Sequence, residues 1–258
     1  MLCNIIEILY IEEMNRENIN IAWGITGSGT FLRETFEVFK RIKRDFNVRI
    51  TTFLSKAAEE VVRIYGLKDA LDVVSPGGYY QEVITEVNAG VSCVYSGRFT
   101  LGRYKALFIA PATSNTVAKI ICGISDTVVT TIVSQAIKGA VPVYILPSDV
   151  SEETTIPCYI DRRSCIGCME CIDVCPYKAI SLVESLPRIN LLKCYGCRVC
   201  EEICPVNAIS CFEKAKIKIR DVDRENINKL KTLDGITVIE KPSSILKIVG
   251  NIVLNRSL

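Results

Sequence analysis

The sequence predicts an α/β chain: a parallel sheet with helices on both faces, joined to a smaller cysteine-rich α+β module. Three observations predict it. Short apolar runs alternate with amphipathic helical runs from Ile19 to about Asp149. Two near-identical cysteine arrays follow, at 165–176 and 194–205. A further strand–helix stretch without such arrays comes after them. Strands that alternate with helices pair in parallel, because each return to the same sheet edge needs a crossover.

The first element is "INIAWGITGSG", an apolar strand running into a Gly/Ser/Thr loop. "TFLRETFEVFKRIKRDF" follows, with Phe31, Leu32, Phe36, Phe39 and Ile42 at helical spacing. Strand, glycine loop and helix make a phosphate cradle, since a helix N-terminus offers free N–H groups and partial positive charge. The order G-x-x-G-x-G differs from the dinucleotide fingerprint G-x-G-x-x-G, and a bare tight turn would also explain it. "NVRITTFLS" reads as a strand ending at Ser55, and "KAAEEVVRIYG" as a helix ending at a glycine. "YKALFIAPATSNT" is a strand ending in a loop of small hydroxyl residues. "VAKIICGI" and "DTVVTTIVSQAIKG" are helices, and "AVPVYILPSD" is a further strand. Ligands of such sheets sit at the carboxyl ends of the strands, where the strand order switches. Those ends carry Thr26, Gly27 and Ser28, then Ser55, then Thr113, Ser114, Asn115 and Thr116. Neutral donors without an Arg or Lys cluster suit a phosphomonoester and a polar ring edge.

The cysteine arrays are more specific. Cys165, Cys168 and Cys171 run C-x2-C-x2-C, then x3 to Cys175 and Pro176. Cys194, Cys197, Cys200, Cys204 and Pro205 repeat the pattern, with "CPYKAI" and "CPVNAI" after them. Three close thiolates wrap one [4Fe–4S] cubane and the fourth ligand comes from the other repeat. Cys165, Cys168, Cys171 and Cys204 are therefore expected to hold one cluster, and Cys194, Cys197, Cys200 and Cys175 the other. Zinc ribbons use two C-x2-C pairs and lack the trailing cysteine and proline. Cys3, Cys93, Cys122, Cys158 and Cys211 lie outside both patterns and read as small buried hydrophobes.

Composition narrows the classes. Of 258 residues, 31 are basic and 29 acidic, a net charge of +2 that gives no reason to expect nucleic acid or an anionic membrane. No apolar run reaches the roughly 18 residues of a membrane helix. Metal-ligand use of most of the 13 cysteines points to a reducing, cytoplasmic setting. Histidine is absent, which excludes any mechanism built on an imidazole. Residues 1–18 match no element and read as an N-terminal extension, with Met14 as an alternative start.

"PATSNTVAKIICGISD", "ITGSG" and "TTFLSKAAEEV" together resemble the flavin-binding decarboxylase-like flavoproteins. The resemblance covers about 21–149 and implies FMN in a Rossmann-like domain, at a trimer interface. By position, Thr26, Gly27, Ser28 and Ser55 would meet its phosphate and ribityl chain, and Thr113, Ser114, Asn115 and Thr116 would line the flavin. The chain lacks the decarboxylases' histidine and substrate clamp, so the resemblance stops short of cysteine decarboxylation and leaves the flavin as a redox carrier. The tail, read as strand, helix from about Asp223, strand "ITVIE" and last helix, is similar to the end of those flavoproteins. This divides the chain into 19–156 (flavoprotein domain, first part), 157–212 (inserted ferredoxin) and 213–258 (flavoprotein domain, C-terminal part).

A flavoprotein with such an insertion resembles the archaeal iron–sulfur flavoproteins of the dihydromethanopterin reductase (acceptor) type. That implies an oxidoreductase passing electrons from a soluble, low-potential, ferredoxin-like donor through two [4Fe–4S] clusters to FMN and on to a pterin. It also implies a trimer-based homo-oligomer or a larger shell. An electron-transfer module without its own substrate is the competing reading, and no catalytic residue is assigned. "PGGYYQE", Pro76 to Glu82, is a candidate substrate loop, because Tyr79 and Tyr80 could stack on a ring or simply pack.

Overall fold

The structure, a computed structural model, describes residues 19–254. The N-terminal extension expected from the sequence, with Cys3, lies outside the described residues. Six parallel strands form the main sheet: β1 (Ile19–Ile25), β2 (Val48–Leu54), β3 (Val83–Thr85), β4 (Ala106–Ala112), β5 (Val143–Pro147) and β12 (Ile236–Val238), in the order β12-β5-β4-β1-β2-β3. The order reverses between β1 and β4. β3 is too short for a periodic signal and escapes the sequence reading.

The central strands are buried along nearly their whole length, β4 at every residue. Such burial follows from helices on both faces, and it explains why these strands read as continuous apolar runs. One face is covered by α1 (Leu32–Asp45), α2 (Lys56–Ile64), α3 (Lys68–Val74) and α7 (Ser243–Leu254). The other is covered by α4 (Ser114–Ile121), α5 (Val128–Lys138) and α6 (Asp221–Leu230). On α1, Leu32, Phe36, Phe39 and Ile42 point inward and are fully buried. Each such side chain contributes about 1.5–3 kcal/mol on leaving water. Trp23 stacks on Phe39, with centroids 4.0 Å apart and planes at 10°, and meets Phe36 edge-on.

The chain leaves this sheet after β5 and returns to it at β12. The path out and back runs through two short antiparallel strand pairs. β6 (Glu153–Thr155) pairs with β11 (Lys214–Lys216), and β7 (Tyr159–Ile160) pairs with β10 (Ile209–Ser210). The tail strand expected before Asp223 is thus Lys214–Lys216, which belongs to this stem and not to the main sheet. The stem also corrects two cysteines. Cys158 and Cys211 are not separate buried hydrophobes; they face each other between the two pairs and form a disulfide. Pairing of residues distant in sequence brings them together, which no local pattern announces. Cys93 is buried as expected, whereas Cys122 is exposed at the end of α4.

Beyond the stem, the duplication seen in the sequence is a duplication of backbone. Each array is a loop followed by a one-turn helix, Glu170–Asp173 in the first and Val199–Glu202 in the second. Equivalent residues share the left-handed conformation: Met169 and Arg198 both have φ 68°, and Lys178 and Asn207 have 48° and 51°. A hairpin of β8 (Ile180–Val183) and β9 (Leu186–Ile189) joins the halves.

Candidate functional site

The two arrays interleave. Cys175, Cys194, Cys197 and Cys200 line one small cavity, and Cys165, Cys168, Cys171 and Cys204 line another. Each cavity thus draws three cysteines from one repeat and the fourth from the other. The sulfurs are met by backbone donors: Ala179 N–H to Cys175 at 3.3 Å, Gly196 N–H to Cys194 at 3.4 Å and Ala208 N–H to Cys204 at 3.2 Å. Ala179 and Ala208 occupy the same place in the "CPYKAI" and "CPVNAI" runs, so the repeat builds the same donor twice.

Burial, followed by the neighbouring thiols led by Cys194, pushes Cys200 up to about 12. Burial also raises Cys171 and Cys194. Four crowded sulfurs become thiolates together only around a cationic group. Among the described residues, no three Cys, Asp or Glu side chains are placed to hold a single metal ion. The sulfurs surround a space instead of converging on a point. That suits a cluster with one iron per cysteine better than tetrahedral zinc.

The second constellation lies at the carboxyl ends of β1, β2 and β4, astride the reversal of strand order. In sheets of this kind that crevice is where ligands bind. Thr26 is buried, and its hydroxyl donates to Pro111 O at 2.8 Å and accepts from Thr113 N–H at 2.8 Å. Trp23 Nε1 donates to Ala110 O at 2.7 Å. These bonds lace the end of β1 to the end of β4 and Thr113, so the Thr26 hydroxyl is spent on holding the two strand ends together. Ser28 is buried and accepts from Thr30 N–H at 3.2 Å. Gly27 faces Ala57, and a Cβ at Gly27 would lie 2.6 Å from the Ala57 methyl.

Ser55 caps α2 by accepting from Ala58 N–H at 3.2 Å, and Thr113 caps α4 by accepting from Thr116 N–H at 3.4 Å. Ser114, Asn115 and Thr116 therefore form the first turn of α4, not the loop that the sequence suggested. The helix starts early because the threonine hydroxyl satisfies an N–H otherwise left without a partner. Asn115 is exposed, Ser114 half-buried and Thr116 buried against the Thr113 hydroxyl at 3.0 Å. The N-terminus of α1 is preceded by Phe31 in the left-handed conformation, with no side-chain cap. Helices α2 and α4 thus begin with one residue between them and the carboxyl ends of β2 and β4, and α1 begins after the 26–31 loop that follows β1.

The "PGGYYQE" loop splits its tyrosines. Tyr80 is buried and meets Tyr79 edge-on at 4.4 Å, while Tyr79 is exposed. The Arg98 guanidinium lies 4.8 Å from the Tyr80 ring and 5.1 Å from those of Tyr79 and Tyr95. It also forms a two-point ion pair with Glu82, at 2.8 and 3.2 Å. Burial alone would raise Glu82, but the Arg98 hydrogen bonds outweigh it and hold the carboxyl below its usual range. Tyr80 is part of this cation cage, which the sequence did not reveal because Arg98 comes from a separate short helix (Gly97–Thr100).

The Flavoprotein family model matches residues 9–153, more than half of the chain. The chain belongs to the Flavoprotein family. A second model, 4Fe-4S dicluster domain, matches residues 164–208 of this flavoprotein. Two curated relatives carry the name dihydromethanopterin reductase (acceptor). That of Methanosarcina mazei is 47% identical, spanning 88% of this chain and 98% of its own. That of Methanocaldococcus jannaschii is 45% identical, spanning 89% and 95%. A crystal structure of Burkholderia xenovorans DmrB in complex with FMN, described as a cubic protein cage for redox transfer, superposes on the flavoprotein with a TM-score of 0.61. Its identity is 23%, over 94% of this chain and 99% of that one, and it is a likeness of fold.

Proposed function

We propose that this flavoprotein is an oxidoreductase of the dihydromethanopterin reductase (acceptor) type. It takes electrons from a soluble one-electron donor and delivers them in pairs to a dihydropterin. The reading rests on one observation above the others: relatives of that name match 88–89% of the chain over nearly their own whole length. The cofactors are FMN and two [4Fe–4S] clusters, with 157–212 as the ferredoxin insertion.

The chain's own residues supply holding and insulation. Cys165, Cys168, Cys171 and Cys204 hold one cluster, and Cys194, Cys197, Cys200 and Cys175 the other. Ala179, Gly196 and Ala208 N–H groups stabilise thiolate charge. The N-termini of α1 and α2, with Gly27, Ser28 and Ser55, receive the FMN phosphate; the first turn of α4 borders the flavin. Thr26 keeps the two strand ends in register. When bound, FMN accepts electrons singly and gives them up in pairs, which couples one-electron clusters to a two-electron reduction. Anaerobic purification with iron and flavin assays, then stopped-flow mixing of the reduced protein with dihydromethanopterin, tests this. Flavin reoxidation by the pterin is expected. No reoxidation, with full cofactor content, would leave an electron-transfer module without its own substrate.

Gly27→Val is expected to weaken FMN binding by roughly 10–100-fold. A side chain there must push apart the β1 loop and the start of α2, an overpacking cost of about 1–3 kcal/mol. A fluorescence titration of FMN into the flavin-free protein measures the shift, while the iron content should not change.

A homo-oligomer is also expected. Val87, Val91, Val94 and Leu101 are strongly exposed on one stretch of chain, and apolar clusters of this kind mark interfaces. Light scattering on a sizing column should give a multiple of the 28.7 kDa chain, with trimers or a shell of trimers expected. A monomer with full FMN content would contradict it.

A further inference from the structure

The two arrays are copies in sequence and backbone, yet their surroundings differ. Both cavities, that of Cys165, Cys168, Cys171 and Cys204 and that of Cys175, Cys194, Cys197 and Cys200, are lined by residues of the insertion, and the difference lies outside them. Cys168 and Cys197 are both exposed, but Ile166 is 65% exposed against 37% for Tyr195 at the equivalent place. The second array is pressed against the main sheet domain. Arg63, near the end of α2, donates from Nη1 to Cys194 O at 2.9 Å, and its guanidinium lies 5.3 Å from the Tyr195 ring.

The contrast is sharpest at equivalent glycines. Gly196 and Gly167 sit at the same place in the two C-x-G-C loops, with φ of 60° and 71°. A Cβ at Gly196 would collide with Ile64 O, and would lie 2.7 Å from Gly66 N and 2.9 Å from Phe212 Cζ. A Cβ at Gly167 would meet nothing nearer than Leu186 Cδ2 at 3.6 Å.

From Gly196 a packed column runs to the crevice at the strand ends. Phe212 stacks on Tyr65, with centroids 5.4 Å apart and planes at 25°. The Arg33 guanidinium lies over the Phe212 ring, 3.8 Å from its centroid, and donates to Tyr65 O at 2.6 Å. The Tyr65 hydroxyl donates to Thr155 O and occupies the space that a side chain at Gly29 would need. Burial pushes Tyr65 up to about 12, so it stays a protonated donor. Thr30 donates to Thr154 at 2.9 Å, fixing the stem to the same loop.

We infer that the two arrays have fixed and unequal places. The second array, Cys175, Cys194, Cys197 and Cys200, is the inner redox site, coupled to the β1 loop through Gly196, Phe212 and Tyr65. The first array, Cys165, Cys168, Cys171 and Cys204, is the outer site that takes electrons from the external donor. This rests on the cluster-to-flavin path of the function proposed above, not on its pterin. Electrons pass singly, two leave the donor for each pair delivered, and no bond of the chain forms or breaks.

The matched pair Gly167→Ala and Gly196→Ala tests it in the full, cofactor-loaded protein. Both substitutions carry the same cost of a side chain at positive φ, and only the second meets an obstacle. After mixing with reduced methyl viologen, flavin bleaching is followed by absorbance and cluster reduction by freeze-quench EPR. Gly196→Ala is expected to slow bleaching roughly tenfold with cluster reduction unchanged, because a small displacement of a docked element is felt strongly. Gly167→Ala should bleach at the parent rate. Equal slowing in both, or slowing confined to Gly167→Ala, would overturn the assignment. If Gly196→Ala loses iron, Phe212→Leu replaces it, since it disturbs the same column away from the loop. Normal bleaching in Phe212→Leu would then overturn the proposal. None of these readouts uses a pterin. Failure to reduce pterin would sink the function proposed above and leave this inference standing, and the converse also holds.

Discussion

Cys204→Ala is expected to strip the cluster held by Cys165, Cys168 and Cys171 and to leave the one beside it in sequence loaded. Cys204 follows the second array, but its sulfur lines the cavity of the first. Iron should fall from about eight per chain to about four, counting four per cubane. The EPR signal that survives should be that lost in Cys194→Ala. FMN should remain, because the loops assigned to it at 26–28, 55 and 113–116 lie outside the insertion. Flavin reduction by a protein donor should drop by orders of magnitude if the lost cluster is the outer one. Chemically reduced flavin in the same variant should still react with the pterin. Loss of the Cys194 signal instead would mean that each array ligates locally.

Trp23→Ala is expected to destabilise the fold by about 4–8 kcal/mol. Removing a buried tryptophan costs roughly 3–5 kcal/mol in lost packing. The Ala110 carbonyl also loses its donor, a further penalty of about 1–3 kcal/mol if it stays buried. Domains have only about 5–15 kcal/mol in total, so the variant should sit near the edge of folding. The urea midpoint measures the loss. Trp23→Phe should recover much of the stacking on Phe39 but not the hydrogen bond. It should also weaken FMN binding, because the same lacing aligns Thr26 with Thr113. A Trp23→Ala chain as stable as the parent would show that the stack contributes little.

These two predictions mark where the sequence speaks and where it does not. The eight cysteines assigned to the clusters are legible because three of each four lie within one loop and the duplication is exact in spacing. The central strands and α1 are legible because burial on both faces, or on one stripe, leaves a periodic apolar record. The hydroxyl residues at 26–28, 55 and 113–116 are legible as strand ends, although their roles are not. Only the fold shows that Thr26 is engaged in lacing two strand ends while Ser114 opens a helix.

What tertiary structure alone decided are juxtapositions across long separations. β12 returns to pair with β5 although the whole insertion stands between them. Cys158 meets Cys211, and Arg98 is enclosed by three tyrosines. Two loops nearly identical in sequence acquire different neighbours, one with room for a side chain at Gly167 and one jammed against Gly66. The reason is physical. Ligand spacing and helical or strand period are set by bonds and dihedrals a few residues apart, and so are written in the chain. Which surface each element meets is set by how the apolar faces pack together, and equal sequences can then be given unequal surroundings.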